Sequence, residues 1–427
     1  MRVAIVSESF LPQVNGVTNS LVRLLRHLAD QGHDAMVVAP NPGPKTYAGF
    51  PVHSTPAFRL LPFYRSFRVG LPSRGIGRAI EEFKPDVVHL ASPTVVGAAG
   101  LTAALRLGVP AVAVFQTDLA GFARQYGLRG TDALIWAWLR HIHGRAALTL
   151  APSTATMAEL RDHGIPRVSL WGRGVDLDQF DPRHRSAELR RSFAPDGEVV
   201  IGYVGRLAAD KRVHLLAELA GIPGTRLVIV GDGPAEPRLR KLLPDAVFCG
   251  LRTGEDLSRI LASFDVFVHT GRNETYCQAV QEALAAGVPV VAAAAGGPLD
   301  LVRPEVNGLL FPPDEPAEMR RAVARLAGDS VARLRMGSNA RDSVLGRGWT
   351  ALCHQLFGYY QSVVEGADRA PVRVPPVTGP EAGASPVRVP PVAAPEAGAS
   401  PVAAGAVSGS RGRGPAPTGG RWSPGRP

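Results

Sequence analysis

Short β-branched segments alternate with helical segments along most of this chain, in two consecutive sets. The first set predicts strands at residues 3–6, 37–40, 86–90, 111–115 and 148–151. The second set predicts strands at residues 199–204, 227–230, 247–248, 266–268 and 288–292. Such runs, separated by helices, are typical of parallel sheets covered on both faces. The sequence therefore predicts an α/β protein with two parallel-sheet domains and a cleft between them, into which loops at the carboxyl ends of the strands project.

Domain boundaries follow from a glycine- and proline-containing linker and from one abrupt change in composition. The linker, residues 171–182, separates the two sets, so we predict a first domain at 1–175 and a second at 176–348. A closing helix at 349–365 is expected to pack back on the first domain. Residues 366–427 are dominated by proline, alanine, glycine and valine in near repeats. We predict a disordered tail, which serves either as a tether for unknown protein partners or as a neutral repeat expansion.

The net charge of +10 is shared between the tail and the rest of the chain. From residue 366 onward there are seven arginines and three acidic residues, which gives the tail a charge of +4 and leaves +6 on residues 1–365. The sequence contains no dense lysine and arginine block with interleaved aromatic residues, so nucleic acid is disfavoured as a partner. A basic protein of this kind fits an anionic membrane surface better.

Cysteine usage and hydropathy favour a cytoplasmic protein without a membrane span. Cys249, Cys277 and Cys353 are the only cysteines, and their spacing fits neither a disulfide framework nor a zinc site. The longest apolar stretch, residues 283–299, is interrupted by a glycine and a proline and is short for a transmembrane helix. We therefore expect any membrane attachment to be peripheral.

A segment of alternating arginines and apolar residues at 59–68 is a candidate membrane contact. It is too broken for a regular helix, and its basic and aromatic members are Arg59, Phe63, Tyr64, Arg65, Phe67 and Arg68. Such a loop can insert apolar side chains into the bilayer interface while its arginines meet lipid phosphates. A buried irregular segment is equally consistent with the sequence.

Glu274 and Glu282 lie eight positions apart, directly after a predicted strand. Residues 278–286 predict a helix that a glycine and a proline end. At 3.6 residues per turn, the two glutamates would share one polar face of this helix with Gln278 and Gln281. A helix N-terminus favours phosphate, and carboxylates accept hydrogen bonds from hydroxyls, so this face indicates a sugar-diphosphate site. The alternative is the solvated face of an ordinary amphipathic helix.

Two cations follow the first strand of the second domain. Arg206 and Lys211 lie just beyond Gly205. Arginine can grip a diphosphate as a fork and lysine as a point charge, and both would stabilise a departing nucleoside diphosphate. A solvated turn explains the two residues equally well on their own. The glycine loop at 231–233 lacks the third glycine of a dinucleotide fingerprint because position 236 is Glu236, so nicotinamide chemistry is disfavoured.

The first domain offers four polar or flexible candidates at strand ends. Asn15 and Gly16 follow the first strand, and glycine lets a backbone approach a ligand closely. An ordinary tight turn is the alternative. Gln116 and Asp118 follow the strand at 111–115 and could bind acceptor hydroxyls. Alternatively, Asp118 caps a helix.

Histidines and cysteines predict neither a metal site nor a hydrolase. His89 and His269 lie at predicted strand ends and could line the cleft, although structural histidines are more frequent. No carboxylate lies at metal-ligand spacing from a histidine or cysteine, and no Gly-x-Ser-x-Gly elbow occurs. We therefore expect neither a metal nor another cofactor.

In combination and in this order, the second-domain segments resemble the retaining family-4 glycosyltransferases of the GT-B fold. The segments are Gly205-Arg206-Leu-x3-Lys211, Gly-Asp-Gly-Pro at 231–234, the Glu274 and Glu282 spacing, and Ala-Gly-Val-Pro-Val-Val at 286–291. The resemblance covers roughly residues 1–365. Segments 9–18, 115–122 and 296–302 are similar to the GDP-mannose-dependent alpha-mannosyltransferases of actinobacterial glycolipids, and sulfolipid synthases are similar through much of the same chain. The resemblance implies two Rossmann-like domains facing a central cleft.

The resemblance also implies the roles of individual residues in a donor site. Arg206 and Lys211 would hold the diphosphate, and Glu274 would hold the hydroxyls of the transferred sugar. These three residues would be the catalytic residues. Glu282 would hold the ribose, and Gly16 would let the first-domain loop approach the diphosphate. The remaining implied donor residues are Gly205, then Leu251 and Arg252, which would lie near the base, and Thr275, Tyr276 and Cys277, whose amides would lie near phosphate.

Gln116 departs from the family pattern, since many members carry histidine at this strand end. Glutamine cannot ionise, which disfavours a side-chain base or nucleophile and suits a front-face substitution, in which the departing diphosphate oxygen accepts the acceptor's proton. Gln116 would then position a sugar hydroxyl or stabilise positive charge through its carbonyl oxygen.

The resemblance implies metal-independent mannosyl transfer from GDP-mannose to a membrane glycolipid, with retention of the alpha configuration. The expected location is the inner face of the plasma membrane. The same chemistry with a UDP-sugar is the alternative within the enzyme class. A catalytically silent nucleotide-sugar-binding scaffold is the alternative outside it.

Overall fold

The fold is described from a computed structural model of the chain, which covers residues 1–13, 15–59, 68–92, 94–121 and 130–366. For Arg59 and Arg68 only the backbone is described. The membrane-contact prediction for Phe63, Tyr64, Arg65 and Phe67 lies outside the described residues, as does the tail prediction beyond residue 366. Within these ranges, no helix is both long and apolar enough to cross a membrane.

The first part of the chain forms an eight-stranded sheet and a small separate hairpin. The strands are β1 (Arg2–Val6), β2 (Asp34–Pro40), β3 (Thr46–Tyr47), β4 (Phe50–Thr55), β5 (Ala57–Arg59), β6 (Arg68–Gly70), β7 (Val87–Leu90), β8 (Ala111–Val114), β9 (Leu148–Ala151) and β10 (Val168–Leu170). The sheet order is β10-β9-β8-β7-β1-β2-β4-β3, and β5 pairs with β6. Neighbours in the sheet are parallel except for the edge pair β3 and β4.

Helices cover both faces of this sheet because alternate strand residues point to opposite sides. The helices are α1 (Gly16–Asp30), α2 (Arg74–Phe83), α3 (Val95–Leu107), α4 (Asp132–His143) and α5 (Thr154–Asp162). Val3 and Ile5 of β1 pack in the core that includes α1. Ala4 and Val6 pack in the core that includes α2 and α3. The central strand is therefore buried from both sides, as its continuous apolar sequence predicts.

The second part of the chain forms a six-stranded sheet in which all neighbours are parallel. The strands are β11 (Val199–Val204), β12 (Thr225–Val230), β13 (Val247–Gly250), β14 (Val266–His269), β15 (Val290–Ala293) and β16 (Gly308–Phe311). Their order is β13-β12-β11-β14-β15-β16. The predicted class, an α/β protein with two parallel-sheet domains, is confirmed.

The α-helices of this second sheet again lie on both faces. They are α6 (Ala187–Phe193), α7 (Glu236–Leu242), α8 (Gly254–Ala262), α9 (Gln278–Ala285), α10 (Pro298–Leu301), α11 (Pro316–Gly328) and α12 (Ser330–Asp342). Short 3₁₀ segments occur at Pro182–His184, Ala209–Lys211, Val213–Leu219 and Leu345–Arg347. Two apolar cores, one on each face, hold the sheet between the helices.

The last described helix, α13 (Trp349–Val364), packs on the first sheet rather than on the second. Leu352, Leu356 and Tyr360 are buried in the core that contains β1 and α1. The indole of Trp171 donates a 2.9 Å hydrogen bond to the carbonyl of Leu352. The chain therefore crosses from the second sheet back to the first, and the linker before the second sheet contacts this returning helix.

Candidate functional site

The second sheet has one topological switch point, between β11 and β14. From β11 the chain continues to β12 on one side, and from β14 it continues to β15 on the other. Ligands of open α/β sheets bind beyond the carboxyl ends of strands at such a point. Lys211 follows β11 and Glu274 follows β14. These two residues, both candidates from the sequence, therefore come together at the expected place.

Glu274 is the centre of a charged cluster at this switch point. One carboxylate oxygen, Oε1, lies 2.6 Å from Nζ of Lys211 and 3.1 Å from Nε2 of His269. Burial raises the pKa of Glu274, but Lys211 and His269 outweigh burial and lower it to about 2. Burial likewise lowers the pKa of Lys211, and Glu274 raises it above its ordinary value. Glu274 is consequently a carboxylate acceptor at neutral pH and Lys211 an ammonium donor.

Glu274 does not lie on the helix to which the sequence pattern assigned it, so that prediction is wrong. Helix α9 begins at Gln278, and Glu274 belongs to the loop before it. Gly297 holds this loop, since its N–H donates a 2.8 Å hydrogen bond to the carbonyl of Glu274. A Cβ at Gly297 would lie 2.0 Å from the carbonyl of Tyr276. The carboxylate is therefore positioned by a glycine-supported loop and not by helical periodicity.

The N-terminus of α9 carries the other residues implied to contact phosphate. Cys277 precedes the helix with a φ of 75°, a left-handed conformation that is unusual for a residue with a side chain. Thr275 donates its hydroxyl to the carbonyl of Gln116 at 3.4 Å, and Tyr276 donates to the carbonyl of Arg173 at 3.1 Å. These contacts join the loop to the first domain and to the linker.

Arg206 follows β11 through Gly205, as predicted. Its guanidinium pairs with Asp210. Lys211 is fixed on the same loop, because the hydroxyl of Thr270 donates a 2.6 Å hydrogen bond to its carbonyl. Both predicted cations therefore already have carboxylate partners. An incoming phosphate would bind Arg206 and Lys211 while they also contact Asp210 and Glu274.

Glu282 lies on α9, where burial raises its pKa to about 7 although Gln278 and Arg173 lower it. The two glutamines that were predicted to share its polar face contact the linker instead. Gln278 donates to the carbonyl of Gly174 at 3.1 Å and Gln281 to the carbonyl of Arg173 at 3.0 Å. This face of the helix is thus an interdomain contact, and the solvated alternative is wrong.

Asn15 and Gly16 lie at the N-terminus of α1, on the exposed surface of the first domain. Oδ1 of Asn15 accepts a 3.0 Å hydrogen bond from the N–H of Thr18, and Nδ2 donates to Ser9. Asn15 therefore caps the helix, and both ends of its amide are engaged within the protein. Gly16 is the first residue of α1 and is exposed.

Gln116 and Asp118 follow β8 and both have partners within the protein. Oδ1 of Asp118 accepts a 2.7 Å hydrogen bond from the N–H of Gly121, which is the capping alternative. Oε1 of Gln116 accepts from Nη2 of Arg173 at 2.8 Å. Because a cation already occupies that oxygen, the structure disfavours the prediction that it stabilises positive charge during the reaction.

Arg173 is a site residue that the sequence pattern did not reveal. Its side chain donates to Gly16, Ser20 and Gln116 of the first domain. Its carbonyl accepts from Tyr276 and Gln281 of the second. Burial lowers its pKa to about 10 against the opposing effects of Tyr276 and Glu282. The available signal was the Gly-Arg-Gly sequence of the linker, which places a cation between two flexible positions.

Leu251 and Arg252 follow β13 and are exposed. Arg252 lines a cavity next to β13 together with Cys249 and with Leu189 and Phe193 of α6. The cavity combines an apolar wall with two arginines, Arg252 and Arg259, and one carboxylate, Asp256. The predicted base-binding residues thus lie at a strand exit of the same sheet that carries Arg206 and Lys211.

Comparison with known proteins identifies the chain. Residues 14–179 match the family model described as Glycosyltransferase Family 4, and residues 185–343 match the model described as Glycosyl transferases group 1. The chain is 51% identical over 370 residues, 85% of its own length, to a GDP-mannose-dependent alpha-mannosyltransferase of Mycobacterium tuberculosis, of which it covers 97%. It belongs to the family-4 glycosyltransferases.

A more distant relative of this glycosyltransferase is the sulfoquinovosyl transferase SQD2 of Arabidopsis thaliana, which is 33% identical over 82% of the chain and 71% of the relative. Among solved structures, the Anabaena protein HepE in complex with UDP matches with a TM-score of 0.70 at 20% identity. That match covers 85% of the glycosyltransferase and 100% of HepE. It confirms the predicted GT-B architecture.

His269, Glu274 and Cys277 of the glycosyltransferase are, within the described residues, a group with metal-ligand atoms all within 4.8 Å of one another. The sequence did not predict this group because the spacing along the chain does not show it. Zinc accepts nitrogen, oxygen and sulfur ligands of this kind. However, the ammonium of Lys211 lies 2.6 Å from the same carboxylate and would repel a divalent cation. Metal-independent transfer stays a prediction.

His89, the other histidine considered for the cleft, has a structural role in the glycosyltransferase. Its Nδ1 lies 2.6 Å from the hydroxyl of Tyr360 on α13. Burial lowers the pKa of His89 to about 3, so the ring is neutral at physiological pH. The structural alternative is therefore correct for His89, whereas His269 contacts Glu274 at the candidate site.

Proposed function

We propose that this glycosyltransferase transfers mannose from GDP-mannose to a glycolipid at a membrane surface, with retention of the alpha configuration and without a metal. The observation that carries the proposal is the 51% identity to a protein named as a GDP-mannose-dependent alpha-mannosyltransferase, over 97% of that protein. The proposal is also supported by the carboxylate and the cations at the switch point, which can bind sugar hydroxyls and a diphosphate.

Glu274 accepts hydrogen bonds from hydroxyls of the transferred sugar in this proposal. Its carboxylate is 11% exposed and has a second oxygen, Oε2, besides the one that Lys211 and His269 contact. The low pKa keeps it an acceptor across the physiological range. Glu282, on the first turns of α9, accepts from the ribose hydroxyls. The two carboxylates thus bind the two sugars on either side of the diphosphate.

Arg206 and Lys211 stabilise the negative charge that builds on the departing diphosphate. Both extend from the loop after β11, and the amides of Thr275 and Cys277 lie ahead of α9 across the switch point. Preorganised donors of this kind lower the barrier because they require no reorganisation during the reaction. The departing oxygen takes the proton of the acceptor hydroxyl on the same face of the sugar. This scheme requires no ionisable side chain at the position of Gln116.

Closure of the two domains excludes water and favours transfer over hydrolysis. The interdomain contacts of Thr275, Tyr276 and Gln281 join the donor loop to the first domain and the linker. Sugar bound on the second sheet would therefore face Gln116 and the N-terminus of α1. This arrangement supports an acceptor site on the first domain.

A membrane-bound acceptor requires a membrane-binding surface on the first domain, at the cytoplasmic face of the membrane. Helix α4 exposes Leu134 (73%) and Trp138 (40%) beside Arg140 and His141. Apolar residues beside an arginine suit an anionic bilayer interface. Liposome flotation with anionic vesicles tests this surface with Leu134→Asp. Unchanged flotation would contradict it, and charge reversal at 59, 65 and 68 tests the other candidate loop.

The function is tested by incubating the enzyme with radiolabelled GDP-mannose and a lipid extract. We expect label in the lipid phase from the wild type and almost none from Glu274→Ala. The same extract with labelled UDP-glucose provides the comparison, because the 33% identity to a sulfoquinovosyl transferase keeps a UDP-sugar as the second candidate donor. Label transferred from the UDP-sugar and not from GDP-mannose would contradict the proposed donor.

A further inference from the structure

Arg173 forms no salt bridge with a described carboxylate, and Glu282 acts on its charge only from beyond salt-bridge distance. Nη2 donates to the carbonyl of Gly16 at 2.5 Å, to the hydroxyl of Ser20 at 3.0 Å and to Oε1 of Gln116 at 2.8 Å. All three acceptors are neutral, and no described carboxylate oxygen lies within ion-pair distance of the guanidinium. A charge withdrawn from water is costly unless a counter-ion compensates it. The arrangement therefore points to an anion that comes from outside the protein.

The place of Arg173 indicates which anion this is. The side chain lies against Gly16, where an added Cβ would be 2.6 Å from Nη1. It also lines a small interdomain cavity with Gln116 and Thr275. The family resemblance implies that both Gly16, at the start of α1, and Thr275, in the loop before α9, approach the donor diphosphate. The guanidinium thus lies between the backbone segments expected to approach phosphate from either side of the cleft.

We propose that Arg173 is a donor-binding residue whose guanidinium contacts the diphosphate of the nucleotide sugar from the linker side of the cleft. The inference rests on the proposed function, since it takes the anion to be a nucleoside diphosphate. Arg206 and Lys211 are already paired with Asp210 and Glu274, whereas Arg173 has no direct salt bridge to a described carboxylate and only the longer-range influence of Glu282. Guanidinium can form two parallel hydrogen bonds to phosphate. The residue would share or exchange its contact with Gln116 when the donor binds.

Binding also gives Arg173 a role in joining the domains around the donor. Its side chain contacts the first domain, and its carbonyl accepts from Tyr276 and Gln281 of the second. A phosphate bound by the guanidinium therefore connects the linker with the loops of both sheets. Charge on the departing diphosphate would be stabilised by a third cation besides Arg206 and Lys211.

Isothermal titration of the full chain with GDP and with uncharged guanosine tests the inference. We expect Arg173→Met to weaken GDP binding roughly tenfold to hundredfold, the range for loss of a charge-assisted hydrogen bond, and guanosine binding less than threefold. Arg173→Lys retains the charge but not the forked geometry of the guanidinium. Its affinity for GDP should therefore lie between those of the wild type and Arg173→Met. Both ligands are titrated into the same preparation, so the ratio of their affinities does not depend on the folded fraction.

Arg23→Met is the matched control. Arg23 also connects the first domain with the linker, through a 2.5 Å contact to Asp176, but its charge is paired within the protein. We expect it to leave the ratio of GDP to guanosine affinity unchanged. An equal loss of that ratio in Arg23→Met would overturn the inference, because any linker disturbance would then explain the result.

The remaining outcomes separate this inference from the proposed function. If the wild type binds GDP and transfers mannose while Arg173→Met binds GDP as tightly, only the inference is overturned. The inference alone is also overturned if Arg173→Met weakens GDP and guanosine equally, or raises only the KM for the acceptor, which would assign the anion to the acceptor. If the wild type binds neither GDP nor UDP, the proposed function and the inference fail together.

Discussion

The contact between Lys211 and Glu274 should be worth far more than an ordinary surface ion pair. The carboxylate is 11% exposed and the lysine side chain 27% exposed, so both charges are largely withdrawn from water. The pKa of Glu274 falls from 4.5 to about 2. At 1.36 kcal/mol per pKa unit this corresponds to about 3 kcal/mol of net stabilisation of the carboxylate, the amount by which Lys211 and His269 together exceed the cost of burial. Since the lysine contact is the shorter of the two, we expect about 2 kcal/mol of this energy to come from Lys211.

A double-mutant cycle with Glu274→Gln and Lys211→Met measures that energy by urea unfolding at pH 7. Each single variant should lose about 2–3 kcal/mol, because it leaves an unpaired partner behind. The double variant should lose about 2 kcal/mol less than the sum. The exposed contact between Arg272 and Asp314, 48% and 73% exposed at 2.9 Å, is the control cycle. Its coupling should stay below about 0.5 kcal/mol.

The pH dependence of stability checks the same energy independently. Because the pKa of Glu274 is lower in the folded state, its stabilisation is complete above pH 4.5 and is lost as the pH falls towards 2. Glu274→Gln should abolish this part of the acid dependence. A coupling no larger than that of the exposed control, or an identical acid dependence in wild type and variant, would show that the ion pair does not hold the loop in this way.

Three further predictions concern other parts of the site and one helix outside it. If Glu282 must ionise to accept from the ribose, kcat/KM for the donor should decrease as the pH falls below about 7, the pKa to which burial raises its carboxyl. Glu282→Gln should lower kcat/KM and should remove this acid limb from the pH–rate profile. Gly297→Ala should destabilise the fold by about 1–3 kcal/mol in urea unfolding, because its Cβ would lie 2.0 Å from the carbonyl of Tyr276, and wild-type stability would contradict the packing. Gly358→Ala, in the middle of α13 with nothing within 4 Å of the new Cβ, should stabilise by about 0.5–1 kcal/mol with unchanged activity, and any destabilisation would argue against an unobstructed helical position.

The sequence predicted the fold wherever strands were buried on both faces. The strands β1, β8, β11 and β14 are continuous apolar runs, and each was predicted within a residue or two of its ends. β4, β10 and β16 were missed, together with the short β3, β5 and β6. Most of these lie at or next to a sheet edge, where half-exposed residues weaken the apolar signal.

The candidate site was predictable in its second-domain residues and less so in their geometry. Lys211 and Glu274 were named because cations and carboxylates follow strands, and the sheet order then placed them together. Helical periodicity misplaced Glu274, since the left-handed conformation of Cys277 and the support of Gly297 are tertiary effects. Arg173 was missed because its importance depends on what surrounds it in space, which no local pattern shows.

Retaining, metal-independent mannosyl transfer is tested most directly by a proton NMR time course of the reaction between GDP-mannose and a purified glycolipid acceptor. We predict one alpha-configured mannoside for each GDP released, at unchanged rate after chelation of divalent metals, and almost no product with Lys211→Met. Free mannose as the main product, a beta-configured product, or turnover that requires a divalent metal would contradict this mechanism.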